Sequence, residues 1–142
     1  VLATQSGNPW RAQQAAEQLC AWVAHADWQP TLDAFARCVR ILPDDGPASA
    51  PPDPDLFTDD AERELWAAVR AAQSALIAQS TQPCVDDFLA AFTRTIPAIT
   101  RFFDAVLVMD ENAAVRANRM ALLSRVAALA DGTVDFSKLE GF

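Results

Sequence analysis

Ten of the eleven basic residues in this chain are arginine, and several stand close together. Arg116, Arg119 and Arg125 share the run VRANRMALLSR with Asn118, while Arg37 and Arg40 share FARCVR. A guanidinium is planar, permanently charged and carries five donors in a fixed fork, so it stacks on flat rings and pairs with carboxylates, phosphates or base edges. Asparagine adds a donor and an acceptor on one amide. This is the chemistry of recognition rather than of bond making. Residues for catalysis are missing: there is no GxxxxGK[ST] or GxGxxG loop and no Ser/His/Asp or Cys/His set. The single His25 has no cluster of His, Cys or acids at ligand spacing, so no metal site is expected. Cys20, Cys38 and Cys84 lie too far apart for a CxxC motif, and an odd count leaves one unpaired; reduced core thiols are the expectation.

The elements that position these side chains are helices. Apolar residues recur with helical spacing and no stretch alternates long enough for a sheet, which predicts an all-α bundle of about six helices. The first starts at Asn8 and Pro9, the second near Pro30, with Leu32, Phe35, Val39 and Leu42 inward and Asp33, Arg37 and Arg40 opposite. Thr58 is expected to cap the third, whose first turn holds Asp59, Asp60 and Glu62, charges that favour a helix N-terminus. A fourth runs from about Pro83 to Arg94. Thr95 is expected to cap the fifth, with Ile99, Phe102, Phe103 and Val106 inward, and Asp110 is expected to cap the sixth, which ends before Gly132.

Projecting the sixth helix at about 100° per residue from Val115 puts Leu122, Val126 and Leu129 on one face, with Arg119 about 40° away on the same face. Arg119 is therefore expected inside, where a guanidinium requires a carboxylate; Asp104 on the preceding helix is the candidate. Arg116 falls at the margin of the apolar stripe, where its stem packs while its head reaches solvent. Asn118 and Arg125 fall on the other margin.

The chain has 142 residues, a size that suits one domain covering 1–142. No apolar run approaches the ~20 residues that cross a bilayer. It begins at Val1 without the basic and apolar regions of a secretory signal, which reads as a piece of a longer protein. A net charge of −8 weighs against diffuse attraction to phosphate, but the charge is uneven. From Pro43 to Glu64 eight acids face Arg63 alone; from Phe92 to Arg125 five arginines face three acids. The acidic, proline-rich stretch at 43–57 is expected to be a solvated connector.

The order FFD, VLVM and VRANRMALL between Phe102 and Leu123 resembles the anticodon-binding (DALR-like) domain at the C-terminal end of the bacterial glycyl-tRNA synthetase beta subunit. LFTDDAERELWAAV, from Leu56 to Val69, looks like that family's acidic helix start and stripe, and FARCVRIL, from Phe35 to Leu42, is similar to its FKRVxNIL. Ala36 replaces the family's lysine and Arg40 its asparagine, whereas Arg37 keeps the arginine. The resemblance implies a non-catalytic domain that holds the anticodon stem-loop of tRNA(Gly). The resemblance further implies a place in a cytoplasmic alpha2beta2 enzyme that uses ATP and magnesium elsewhere in the assembly, with no membrane or DNA partner. Arg37, Arg40, Arg116, Asn118 and Arg125 are the candidate RNA contacts. Glycine anticodons end in two cytosines, whose O2 and N3 accept from arginine and whose N4 donates to a carboxylate. Two other readings compete. One is a helical bundle docking within a synthetase assembly through aromatics such as Trp10 or Trp28. The other is the related domain of an arginyl-type synthetase, against which the LEGF end and the FFDxVxVM order weigh.

Overall fold

A computed structural model of the chain describes residues 9–43, 50–79, 84–131 and 133. Among them are six α-helices: α1 (Pro9–Val23), α2 (Trp28–Arg40), α3 (Asp60–Gln79), α4 (Val85–Thr93), α5 (Ile96–Ala105) and α6 (Ala113–Ala128). A single 3₁₀ turn, Pro54–Leu56, precedes α3, and the described residues contain no strand. The expected cap Asn8, the start at Pro83, Gly132 and the end of the chain from 134 lie outside the described residues.

Local chemistry sets the helix ends, and in two places it moves them from where the sequence puts them. At α3 the cap is Asp59, not Thr58: its Oδ1 accepts from the Ala61 amide at 2.8 Å while Glu62 accepts from the Asp59 amide at 2.9 Å. This is the reciprocal capping box of a D-x-x-E start. At α6 the cap is Asn112, whose Oδ1 accepts from the amides of Ala114 and Val115, so Asp110 is left free for another task. Elsewhere α2 begins at Trp28, two residues ahead of Pro30, because a proline in the first turn lacks only an N–H that has no helical partner there.

α3 is the hub helix, packing against α4, α5 and α6, while α2 lies across α6 and α5 and α1 closes the bundle over α4 and α2. The centre is aromatic. Phe35 meets Phe88 and Phe92 edge-on, at 5.9 and 5.5 Å between ring centroids, an arrangement that ring quadrupoles favour. Leu65 and Val69 of α3, Ile99 and Phe102 of α5, and Leu122, Leu123 and Val126 of α6 complete the core around them. Trp22 ties α1 to the start of α4 by donating its indole N–H to Asp86 at 2.7 Å.

The proline-rich connector departs most from expectation. Residues 44–49 lie outside the described set, but from Pro52 onward the chain is docked: Pro52 and Phe57 are buried and the 3₁₀ turn lies against α6. Prolines remove backbone donors and fix φ, which suits an ordered coil lying on a helix as well as it suits a solvated one.

Among the cysteines only Cys38 is a core thiol, whereas Cys20 is exposed and Cys84 half-buried; all three are free. Burial pushes the Cys38 thiol up to about 12, opposed only weakly by Arg37, so it carries no thiolate at neutral pH. Brief iodoacetamide labelling of the native protein at pH 8 is expected to modify Cys20 and to leave Cys38 untouched until denaturant is added, as read by peptide mass spectrometry; early labelling of Cys38 would contradict this packing.

Candidate nucleic-acid interface

Arg119 sits where its helical phase puts it, 5% exposed among the core side chains, and all three guanidinium nitrogens are engaged. Nε donates to Glu62 Oε1 at 2.9 Å. One terminal nitrogen donates to the Leu107 carbonyl at 2.6 Å and to Asp110 Oδ2 at 3.0 Å, and the other donates to the Thr58 hydroxyl at 3.0 Å. Glu62 is fully buried, and its second oxygen accepts from the amides of Thr58 and Asp59 and from the Thr58 hydroxyl. One charge-assisted knot therefore fixes three pieces of chain: α6, the entry to α3, and the α5–α6 connection.

Asp104 has no part in this knot. It is exposed on α5, and the carboxylates on Arg119 are Glu62 and Asp110. Glu62 reads in the sequence as a charge complementing the helix N-terminus, and it does cap that end; its burial comes from α6, 57 residues away, which no local pattern shows.

The other arginine-run residues divide sharply. Asn118, expected at a margin, is 6% exposed. Its Oδ1 accepts from the Asp53 amide at 2.6 Å and its Nδ2 donates to the Asp53 carbonyl at 2.9 Å, pairing with one residue as a neighbouring strand would. Both atoms of that amide are engaged with the Asp53 backbone. Arg116 is half-buried and donates to the Asp110 carbonyl at 2.8 Å, so the residue that holds Arg119 by its side chain holds Arg116 by its backbone. Arg125 is half-buried in the last turn of α6, where a cation suits the carbonyl end of the helix. Trp28 is buried in the core and cannot dock a partner, whereas Trp10 is exposed.

Arg37 and Arg40 come together in a different place. With Asp33 and Ile41 they line one face of α2, and Phe103 of α5 faces them across an open groove of about 580 Å³. The Arg37 guanidinium carbon lies 4.2 Å from the centre of the Phe103 ring, well inside the ~6 Å range of cation–π attraction. Among the described residues its N–H groups make no hydrogen bond or ion pair, so a positioned planar cation faces solvent with its donors available. Phe103 reads as core in the sequence beside Phe102, but only Phe102 is fully buried; Phe103 is half-buried and supplies the floor under Arg37. The one sequence signal for it is the position after a deep core residue, where a helix face turns outward.

Among the described residues no group of His, Cys, Asp and Glu is arranged to hold a metal ion, and no helix is long and apolar enough to cross a membrane. The arrangement suits non-covalent binding of something flat and polar.

Comparison with known families agrees. The profile of the DALR anticodon binding domain matches residues 31–134, a span that includes the groove and the Arg119 knot. The chain belongs to this family. Relatives include proteins named glycine–tRNA ligase beta subunit from Anaeromyxobacter sp. strain K, 36% identical over 99% of this chain, and from Myxococcus xanthus, 38% identical over 91%. A third, from Lactococcus lactis subsp. cremoris, is 37% identical over 80%. The chain spans about a fifth of the length of these relatives, covering 20%, 19% and 16% of them.

In this DALR domain, removing one partner of the buried ion pair strands the other. Glu62→Ala is expected to lower stability by about 3 kcal/mol or more in urea denaturation, while Asp104→Ala stays within about 0.5 kcal/mol; similar losses at the two sites would break the assignment. Asn118→Ala is expected to cost about 1–3 kcal/mol, and native-state hydrogen exchange of the Asp53 amide is expected to accelerate selectively.

Proposed function

We propose that this chain is the anticodon-binding domain of a glycine–tRNA ligase beta subunit and that it holds the anticodon stem-loop of tRNA(Gly) at the groove between α2 and α5. The observation that carries the reading is Arg37, held over the Phe103 ring with its donors open, in a domain of a family named for anticodon binding. Unpaired RNA bases are recognised by splaying out, stacking on aromatic or guanidinium planes and bonding along their edges, and Arg37 offers both surfaces. The relatives' names, each a beta subunit of a glycine–tRNA ligase, support a glycine tRNA as the ligand and an alpha subunit as partner in an alpha2beta2 enzyme.

In this reading the domain positions tRNA, and the ATP- and magnesium-dependent attachment of glycine occurs elsewhere in the cytoplasmic enzyme. Arg40 contributes positive charge beside Arg37, and Arg116 and Arg125 form an outlying part of the contact surface. A chain with net charge −8 attracts phosphate poorly at long range, so affinity must come from short-range stacking and paired hydrogen bonds.

Arg37→Ala in the full-length protein is expected to weaken binding of a glycine tRNA about tenfold at fixed salt, since stacking on one such platform contributes ~1–3 kcal/mol, while thermal stability stays nearly unchanged. Unaltered affinity in a filter-binding assay would remove this groove from the RNA contact.

A further inference from the structure

The groove holds an acceptor as well as donors, and their order along the helix is informative. Asp33, Arg37 and Arg40 follow one another at spacings of four and three residues, which places them on one face of α2 in the sequence minus, plus, plus. Asp33 and Arg37 have the spacing of a helical ion pair but do not form one; Arg37 lies on Phe103 instead. Asp33 Oδ1 accepts from Gln29 Nε2 at 2.8 Å, which holds the carboxylate in place, and its Oδ2 accepts nothing among the described residues. Carboxylate and guanidinium thus stand side by side, each with unused hydrogen-bonding capacity, over a concavity large enough for a nucleobase.

We infer that Asp33 is a specificity-determining residue that accepts the N4 amino group of one unpaired cytosine, while Arg37 donates to its N3; this rests on the RNA-binding reading above. The Watson–Crick edges of the four bases differ in order. Cytosine runs donor, acceptor, acceptor, and its first two groups match a carboxylate followed by a guanidinium. Uracil runs acceptor, donor, acceptor, so its O4 carbonyl faces the carboxylate and its N3–H faces Arg37. Guanine runs acceptor, donor, donor, the opposite polarity. Adenine offers the same donor and acceptor at these two positions and differs in having a C–H where cytosine has O2. A site built to bond a particular polar group rejects an analogue that lacks it, because its own groups are left unpaired.

The test uses the full-length protein and stem-loop RNAs carrying the anticodon arm of a glycine tRNA, with each of the two terminal anticodon cytosines changed in turn to uracil. The unmodified protein is expected to bind one of the two uracil variants about tenfold more weakly. In Asp33→Asn, whose amide oxygen still serves Gln29 and whose NH₂ can donate to O4, that ratio is expected to fall towards one. An unchanged ratio in Asp33→Asn, with Arg37→Ala still weakening every RNA, overturns the Asp33 assignment and leaves the RNA-binding reading standing. No effect of Arg37→Ala on any RNA overturns both. Asp33 is exposed on α2, and matching melting curves for the variants show that the comparison is between folded proteins.

Discussion

The Arg119–Glu62 pair is the contact from which the rest of the domain takes its geometry. Its two charges are almost completely removed from water, a costly arrangement that persists only when the remaining donors and acceptors are also satisfied. They are. Glu62 closes the first turn of α3 while gripping α6 through Arg119, and Arg119 draws in Leu107 and Asp110 from the far side. The pair thus converts a helix cap, a local device, into a tertiary joint. Between Val106 and Asp110 the chain leaves helix, extended at Val106 and bent beyond it; Val106 and Val108 are buried, and two arginines of α6 hold the carbonyls of Leu107 and Asp110.

Asn118 extends the joint in the other direction. By bonding both backbone groups of Asp53 it anchors the segment leading to the 3₁₀ turn, and Thr58, a few residues on, is held by Glu62 and Arg119. The acidic stretch that unbalances the charge of the chain is therefore anchored where it meets α6. In the VRANR run the residues with the most conspicuous chemistry, Asn118 and Arg119, are inside and structural, and their neighbour Arg116 is tethered to the same loop. In the proposed reading recognition falls to α2, whose Arg37 and Arg40 are among the candidate contacts that the sequence offers.

Period and phase made much of this legible. Six helices, most of their inward-facing residues, and the burial of Arg119 follow from apolar spacing, because a 3.6-residue repeat reports on which side of a helix meets the core. What the repeat cannot report is which other element covers that side. Asp104 is closer in sequence to Arg119 and of the right charge, yet α5 turns it outward, while Glu62 arrives from a distant helix start. The same limit hid Asn118, since a margin of the stripe is exposed only if nothing lies over it, and the covering segment is proline-rich and acidic, a composition that usually signals solvent. Phe103 was hidden by its neighbour: two adjacent phenylalanines point about 100° apart, so one enters the core and the other reaches the rim.

In the proposed function, rigidity is what lets the α2–α5 groove serve a domain carrying so much negative charge. Attraction at a distance is weak here, so affinity depends on how little must be ordered when a ligand arrives. An exposed arginine ordinarily loses rotamer freedom on binding, but Arg37 already rests on Phe103, and both elements under it are anchored. α2 is fixed through Phe35 in the aromatic centre, and α5 through Phe102, one residue before the ring that supports Arg37. The core thus presents one guanidinium at a set height over the ring, with a carboxylate held beside it by Gln29. Two long flexible lysines in the same place would keep the charge and lose the geometry, since an ammonium has no plane to stack and no fork to align. An almost lysine-free basic complement is the composition expected of a surface that recognises by shape and hydrogen-bond order rather than by field.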